Sequence, residues 1–160
     1  MVHARMDTGG ENSGKLVAKV KNEARRIAEA LQIEVVLVDG SPGIGCPVVS
    51  SLAGAHLVVL VAEPTLSGLH DLKRIYQLIE RFGIRTACMI NKADLNLQIK
   101  AEIEAYLKEK GIFHISSLPY DEAFIRAIVS GQTVIEYGNS RLIPILNDSW
   151  SRILKMIKEN

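Results

Sequence analysis

Between residues 13 and 31 apolar side chains recur at Leu16, Val20, Ala24, Ile27 and Leu31, with charged residues between them. Steps of three and four residues predict a helix with one buried stripe. The next apolar stretch is of another kind. Residues 34–39 (EVVLVD) form an unbroken, β-branched run, as do 56–62 (HLVVLVA) and 85–91 (RTACMIN), while 111–116 (GIFHIS) is a weaker fourth. Such runs predict strands covered on both faces. Helical spacing returns between them at 47–53, 68–82, 97–110 and 121–130, and a last helix is expected over 141–158. Residues 2–6 (VHARM) could add a short strand before a glycine-rich turn. Strands alternating with helices predict an α/β fold, a mostly parallel sheet with flanking helices and right-handed crossovers. With no internal repeat, low-complexity tract or linker, residues 1–160 are expected to form a single α/β domain.

Composition narrows the picture only a little. A+V+I+L+M+F+W+Y+C make up 48% of the chain and charged residues 23%, as in ordinary globular domains. Nineteen Lys and Arg against eighteen Asp and Glu give a net charge of +1, which offers no electrostatic footprint for nucleic acid. The two cysteines, Cys46 and Cys88, lack paired spacing, so neither a disulfide framework nor a zinc or iron–sulfur cluster made by this chain alone is expected. The longest apolar runs are strand-sized, so no membrane span is expected and a reducing cytoplasm is the expected setting.

In open parallel sheets ligands bind outside the carboxyl ends of the strands, so the loops after the strands carry the candidate chemistry. The first reads VVLVDGSPGIGCP: Asp39 ends an apolar run, and Gly40, Pro42, Gly43 and Gly45 follow at once. A carboxylate there suits hydrated Mg²⁺, and small residues let backbone N–H groups approach a terminal phosphate. This is the Walker B and switch II arrangement of P-loop nucleotidases; the plainer reading is an Asp that caps the next turn. Cys46 in this loop is expected to be a small buried hydrophobe rather than a reactive thiol.

The second loop, CMINKADLN, holds Asn91, Lys92 and Asp94 in an N-K-x-D pattern. An Asn amide both donates to and accepts from a purine edge, and a Lys stem can cover a ring. Asn and Asp also cap loops and helices, which is the competing reading. The third, ISSLPYDEA, offers Pro119, Tyr120 and Asp121 as a stiff wall beside a base, or Pro119 as a turn former and Asp121 as a helix cap. VAEPTLSGLHD reads as structure, with Thr65 or Ser67 as an N-cap and His70 on a helix surface.

One stretch invites misreading. Residues 9–16 (GGENSGKL) come within one position of the phosphate-loop pattern G-x-x-x-x-G-K-[ST], but Leu16 stands where a magnesium-binding hydroxyl belongs. Five residues and a turn also make a poor buried strand ahead of Gly9, so the stretch is read as a decoy.

In order along the chain, DGSPGIGCPV, EPTLSGLHDL, INKADLN and LPYDEAFIRAI resemble the MinD-superfamily P-loop ATPases that carry an inserted ferredoxin domain, relatives of the MinD, ParA, Mrp and nitrogenase iron-protein group. The resemblance runs over essentially the whole chain. It implies deviant-Walker ATPases that dimerise around Mg·ATP. Asp39 would be the Walker B carboxylate and magnesium-side group, and Gly43 the switch glycine sensing the γ-phosphate. Asn91 would read adenine, with Pro119, Tyr120 and Asp121 in the loop beside the base. In such proteins a GENSGKLV-like stretch follows the ferredoxin insert, and the true KGGxGK[ST] loop lies far upstream. No KGGxGK[ST], switch I Asp or ferredoxin cysteine set occurs in these 160 residues. The chain is therefore expected to be the C-terminal part of a larger ATPase, without the N-terminal strand, phosphate loop and ferredoxin part, and inactive in hydrolysis by itself.

Two other readings carry different expectations. A non-catalytic interaction or dimerisation domain would keep the sheet but bind no nucleotide. A GTPase-like switch, suggested by NKAD, would prefer guanine and lose binding on Asp94→Ala.

Overall fold

The run LVVLVA forms a strand because a neighbouring strand takes up its backbone hydrogen bonds. A computed structural model describes residues 1–3 and 13–159 of the chain. The short strand expected at 2–6 and the glycine turn at Gly9 fall mostly on residues 4–12, outside the described residues. The described chain divides into two compact units, residues 1–55 and 56–160.

In the first unit α1 (Ser13–Ala30) packs on α2 (Cys46–Leu52). The approach is close at Gly14, where a Cβ would come within 3.0 Å of Ser50 Oγ and 3.3 Å of the Cys46 carbonyl oxygen. Gly14 of the GGENSGKL stretch thus sits in the first turn of a helix, and its missing side chain is used in helix packing. Ala28, Val48 and Leu52 are buried. Lys21 reaches across to α2 and donates from Nζ to the carbonyls of Ser50 (3.3 Å), Ser51 (2.5 Å) and Ala53 (2.7 Å). A cation there satisfies carbonyls that the end of a helix leaves without partners. Burial, followed by the nearby charge of Arg25, holds the Lys21 ammonium below its usual range.

The strand expected at 34–39 does not form. Residues 35–41 have no regular structure, and Val36, Leu37 and Val38 are exposed, Leu37 by 81%. β-branched composition favours a strand only where a ladder partner and a packed face exist, and this segment pairs with no described strand.

In the second unit three strands, β1 (Leu57–Ala62), β2 (Arg85–Ile90) and β3 (Phe113–Ser117), form a parallel sheet in the order β1-β2-β3. Leu57 lies opposite Arg85 and Ala62 opposite Ile90. The β2–β3 register slips after Cys88, so that His114 faces Cys88 while Ser116 faces Met89. Parallel strands need crossovers, supplied by α3 (Leu66–Arg81) and α4 (Leu97–Glu109). Successive β2 side chains point to opposite faces. Cys88 and Ile90 pack with Leu69 and Leu72 of α3 and Ile99, Ile103 and Leu107 of α4. Met89 packs instead toward Leu142, Ile145 and Leu146 of α7 (Leu142–Lys158). Between β3 and α7 lie α5 (Ala123–Val129) and the short α6 (Val134–Tyr137). Two-sided coverage explains the continuous apolar run of β2. In contrast β1, at the edge of the described sheet, packs Leu60 and Ala62 on the α3 and α4 side and leaves Val61 66% exposed.

Candidate functional site

The carboxyl ends of the three strands are Ala62, Ile90 and Ser117, and the three loops that follow them are laced together by the main chain. Asn91 N–H donates to the Ala62 carbonyl (2.8 Å), Leu118 N–H to Ile90 (2.8 Å) and Ala93 N–H to Leu118 (2.8 Å). These bonds continue the sheet one step past its strands, so the loop residues stand on a rigid base.

Side chains add a second set of ties. Asp94 Oδ1 accepts from Tyr120 N–H at 2.7 Å. Asp121 Oδ1 accepts from Ala123 N–H (2.8 Å) at the start of α5, and its Oδ2 accepts from Asn139 Nδ2 (3.3 Å). Asn139 in turn accepts at Oδ1 from the N–H groups of Arg141 and Leu142, at the start of α7. The Lys92 ammonium pairs with Glu63 Oε1 at 2.7 Å, joining the loop after β2 to the loop after β1.

Five expected binding residues are therefore assembled in one unit. Asn91 and Lys92 follow β2, and Pro119, Tyr120 and Asp121 follow β3. The side-chain amide of Asn91 makes no hydrogen bond among the described residues, which leaves both its donor and its acceptor for a ligand. Lys92 adopts φ = 50°, a left-handed conformation that costs a non-glycine residue about 1 kcal/mol or more. Its Nζ is committed to Glu63, so the expected cover over a ring falls to its aliphatic stem. Tyr120 exposes half of its surface, beside half-buried Pro119. Both oxygens of Asp121 are engaged, which gives this residue a supporting part and leaves the exposed faces of the loop to its neighbours.

Asp39 and Gly43 belong to the first unit. Asp39 is exposed, and Gly43 has φ = 90°, a conformation that favours glycine. Among the described residues no group of three His, Cys, Asp or Glu converges as a metal site. A single carboxylate still fits magnesium, which keeps several waters and binds through one or two carboxylates plus substrate phosphates. Asp39 would supply that one carboxylate, and the cation would bring charge neutralisation for a triphosphate. Cys46, expected to be buried, is exposed at the start of α2, while Cys88 is buried in β2. No described helix is long and apolar enough to cross a membrane.

Glu63, Asp94 and Asn139 were not separable from structural residues by type alone. Glu63 lies in the EPTLSGLHD segment, where Thr65 caps α3 by accepting from Gly68 N–H at 2.9 Å. The signal for Asp94 was its place in N-K-x-D; its partner, a backbone N–H 26 residues away, leaves no trace in local sequence.

No family model matches the chain. Two uncharacterised proteins of Methanocaldococcus jannaschii are similar to it. MJ0578 is 24% identical over 157 residues, 98% of this chain and 51% of that protein. MJ0579 is 26% identical over 134 residues, 83% of this chain and 45% of that protein. The chain thus spans about half the length of the curated relatives it matches. Among solved structures it resembles the MinD cell division protein of Aquifex aeolicus, with a TM-score of 0.68 at 17% identity, covering 89% of this chain and 61% of that one. It also resembles the cell division ATPase MinD of Pyrococcus furiosus, with a TM-score of 0.69 at 14% identity, covering 89% and 59%. At these identities the likeness establishes the fold alone: this chain has an α/β fold similar to that of MinD, with a three-stranded parallel sheet flanked by helices.

Proposed function

We propose that this chain is the C-terminal portion of a MinD-like, deviant-Walker ATPase, and that its second unit carries the purine-binding loops. The observation that supports this most is the assembly of Asn91, Tyr120 and Asp121 on interlocked loops at the carboxyl ends of parallel strands, in a MinD-like fold. That is where an open α/β sheet receives a ligand. Asn91 reads the adenine edge; the Lys92 stem, Pro119 and Tyr120 flank the base; Asp121 holds the last of these loops in place. Asp39 serves as the Walker B carboxylate on the magnesium side, and Gly43 as the switch glycine near the γ-phosphate. The complete protein uses ATP and Mg²⁺ and works as a dimer, with the phosphate loop and a ferredoxin part supplied outside these residues. Without KGGxGK[ST] the chain lacks the main source of phosphate affinity, so it binds nucleotide more weakly than a complete ATPase and does not turn it over.

Calorimetric titration of the purified chain with Mg·ATP and Mg·GTP, beside Asn91→Ala and Asp39→Ala, tests the reading. Binding of ATP in preference to GTP, weakened by both substitutions, is the expected result. No binding of either nucleotide would overturn it in favour of an interaction module. One feature favours that second reading: Ile125, Ile128 and Val129 on α5 are 55%, 76% and 82% exposed, at the spacing of a single helix face.

A further inference from the structure

Asp94 occupies the position of the N-K-x-D pattern that would read guanine, yet its carboxylate is turned to another use. Its Oδ1 accepts from Tyr120 N–H at 2.7 Å, a short, charge-assisted bond. A guanine reader needs both carboxylate oxygens, because N1–H and the N2 amino group of the base donate side by side. Asp94 Oδ1 already accepts from Tyr120 N–H and keeps one lone pair, so a guanine drawing on both oxygens would have to share Oδ1 with the loop it approaches. The bond also has a mechanical consequence. The loops after β2 and β3 share two main-chain bonds near the sheet, Leu118 to Ile90 and Ala93 to Leu118, both 2.8 Å. Beyond these, Asp94 is the side chain that ties the outer part of one loop to the other. On the far side of Tyr120, Asp121 is held by Ala123 N–H and by Asn139. Tyr120 is therefore fixed from both sides while its ring stays half exposed.

We infer that Asp94 is a positioning residue that fastens Tyr120 and its loop against the Asn91 loop, so that the purine is read by Asn91 and flanked by Tyr120, with adenine preferred over guanine. The base-reading half of this inference rests on the nucleotide site proposed above; the fastening half does not.

The decisive comparison is Asp94→Asn with Asp94→Ala in this 160-residue chain. An Asn side chain keeps the accepting oxygen and loses the charge, whereas Ala loses the acceptor. Amide hydrogen exchange at Tyr120 is measured without nucleotide, as a ratio to the Cys88 amide in the strand, so that any general loosening cancels. In Asp94→Ala the Tyr120 amide is expected to exchange at least about tenfold faster, and in Asp94→Asn within about threefold of the wild-type rate. Equal ratios in all three proteins would overturn the inference. The same proteins are then titrated with Mg·ATP and Mg·GTP. ATP binding is expected to weaken by about tenfold in Asp94→Ala and to be largely retained in Asp94→Asn. A wild-type preference for GTP that Asp94→Asn abolishes would instead make Asp94 a guanine reader and overturn the inference. If the wild-type chain binds neither nucleotide while the Tyr120 amide still depends on Asp94, the purine role falls and the fastening stands.

Discussion

Gly68 lies so close to the carbonyl of Glu63 that a Cβ at this position would stand 2.3 Å from the Glu63 oxygen and 3.0 Å from Thr65 Oγ1. The first turn of α3 is thus pressed against the loop that leaves β1, and only a residue without a side chain permits the contact. Alanine in a helix ordinarily gains about 1 kcal/mol over glycine. Here the sign reverses, because the atom in the way is backbone and cannot swing aside. Gly68→Ala is expected to lower stability by about 1–3 kcal/mol, read as a shift of the urea midpoint. An unchanged or raised midpoint would show that the loop after β1 yields easily.

Thr65 caps the same helix through its hydroxyl, which accepts from Gly68 N–H at 2.9 Å. Thr65→Ala leaves that donor without its partner and is expected to cost about 1 kcal/mol. Thr65→Ser keeps the oxygen and is expected to restore most of the loss in the same denaturation measurement.

The two thiols differ in access. Cys46 is exposed, whereas burial pushes the Cys88 thiol from its ordinary 9.0 up to about 12. Alkylation of the folded chain near pH 8 is expected to label Cys46 and spare Cys88, with both labelled in urea; mass spectrometry of the digest reads this directly. The raised value also has a consequence for stability. The folded state favours the neutral thiol, so the Cys88 contribution is fully present below pH 9.0 and is lost as the pH climbs toward about 12. Cys88→Ala is expected to flatten the part of the alkaline stability loss that belongs to this residue.

Asn139 holds Asp121 with its amide nitrogen and the start of α7 with its oxygen. Asn139→Ala removes both, and is expected to cost about 1–2 kcal/mol and to speed amide exchange at Leu142. Asn139→Asp keeps the oxygen for α7 and sets a second carboxylate beside Asp121, so it is expected to preserve Leu142 protection while loosening the loop after β3.

Local patterns carried the helices well. Apolar spacing located α1, α3, α4 and α7 to within a few residues, because each lays a stripe on a packed face. The runs at β1 and β2 were equally legible as strands, although only β2 is covered on two sides and Val61 of β1 is exposed. EVVLVD shows the limit of that reasoning. It has the composition of a buried strand, but composition does not provide a ladder partner, and the segment lies exposed. The short α6 was overlooked although Thr133 and Glu136 form a complete capping box, a local signal that could have found it. At the candidate site, the sequence put Asn91, Tyr120 and Asp121 on loops close after strands, and the structure has them there. The bonds that organise them join residues 18 and 26 positions apart, and those distances are set by the sheet.

The most direct test of the account is an NMR titration of this chain with Mg·ATP, following backbone amides. Shifts concentrated at residues 91–94 and 118–121, smaller with Mg·GTP and lost in Asn91→Ala, are the predicted result. Shifts confined to α1 around Lys15, or none at saturating ATP, would contradict a purine site at the ends of β2 and β3.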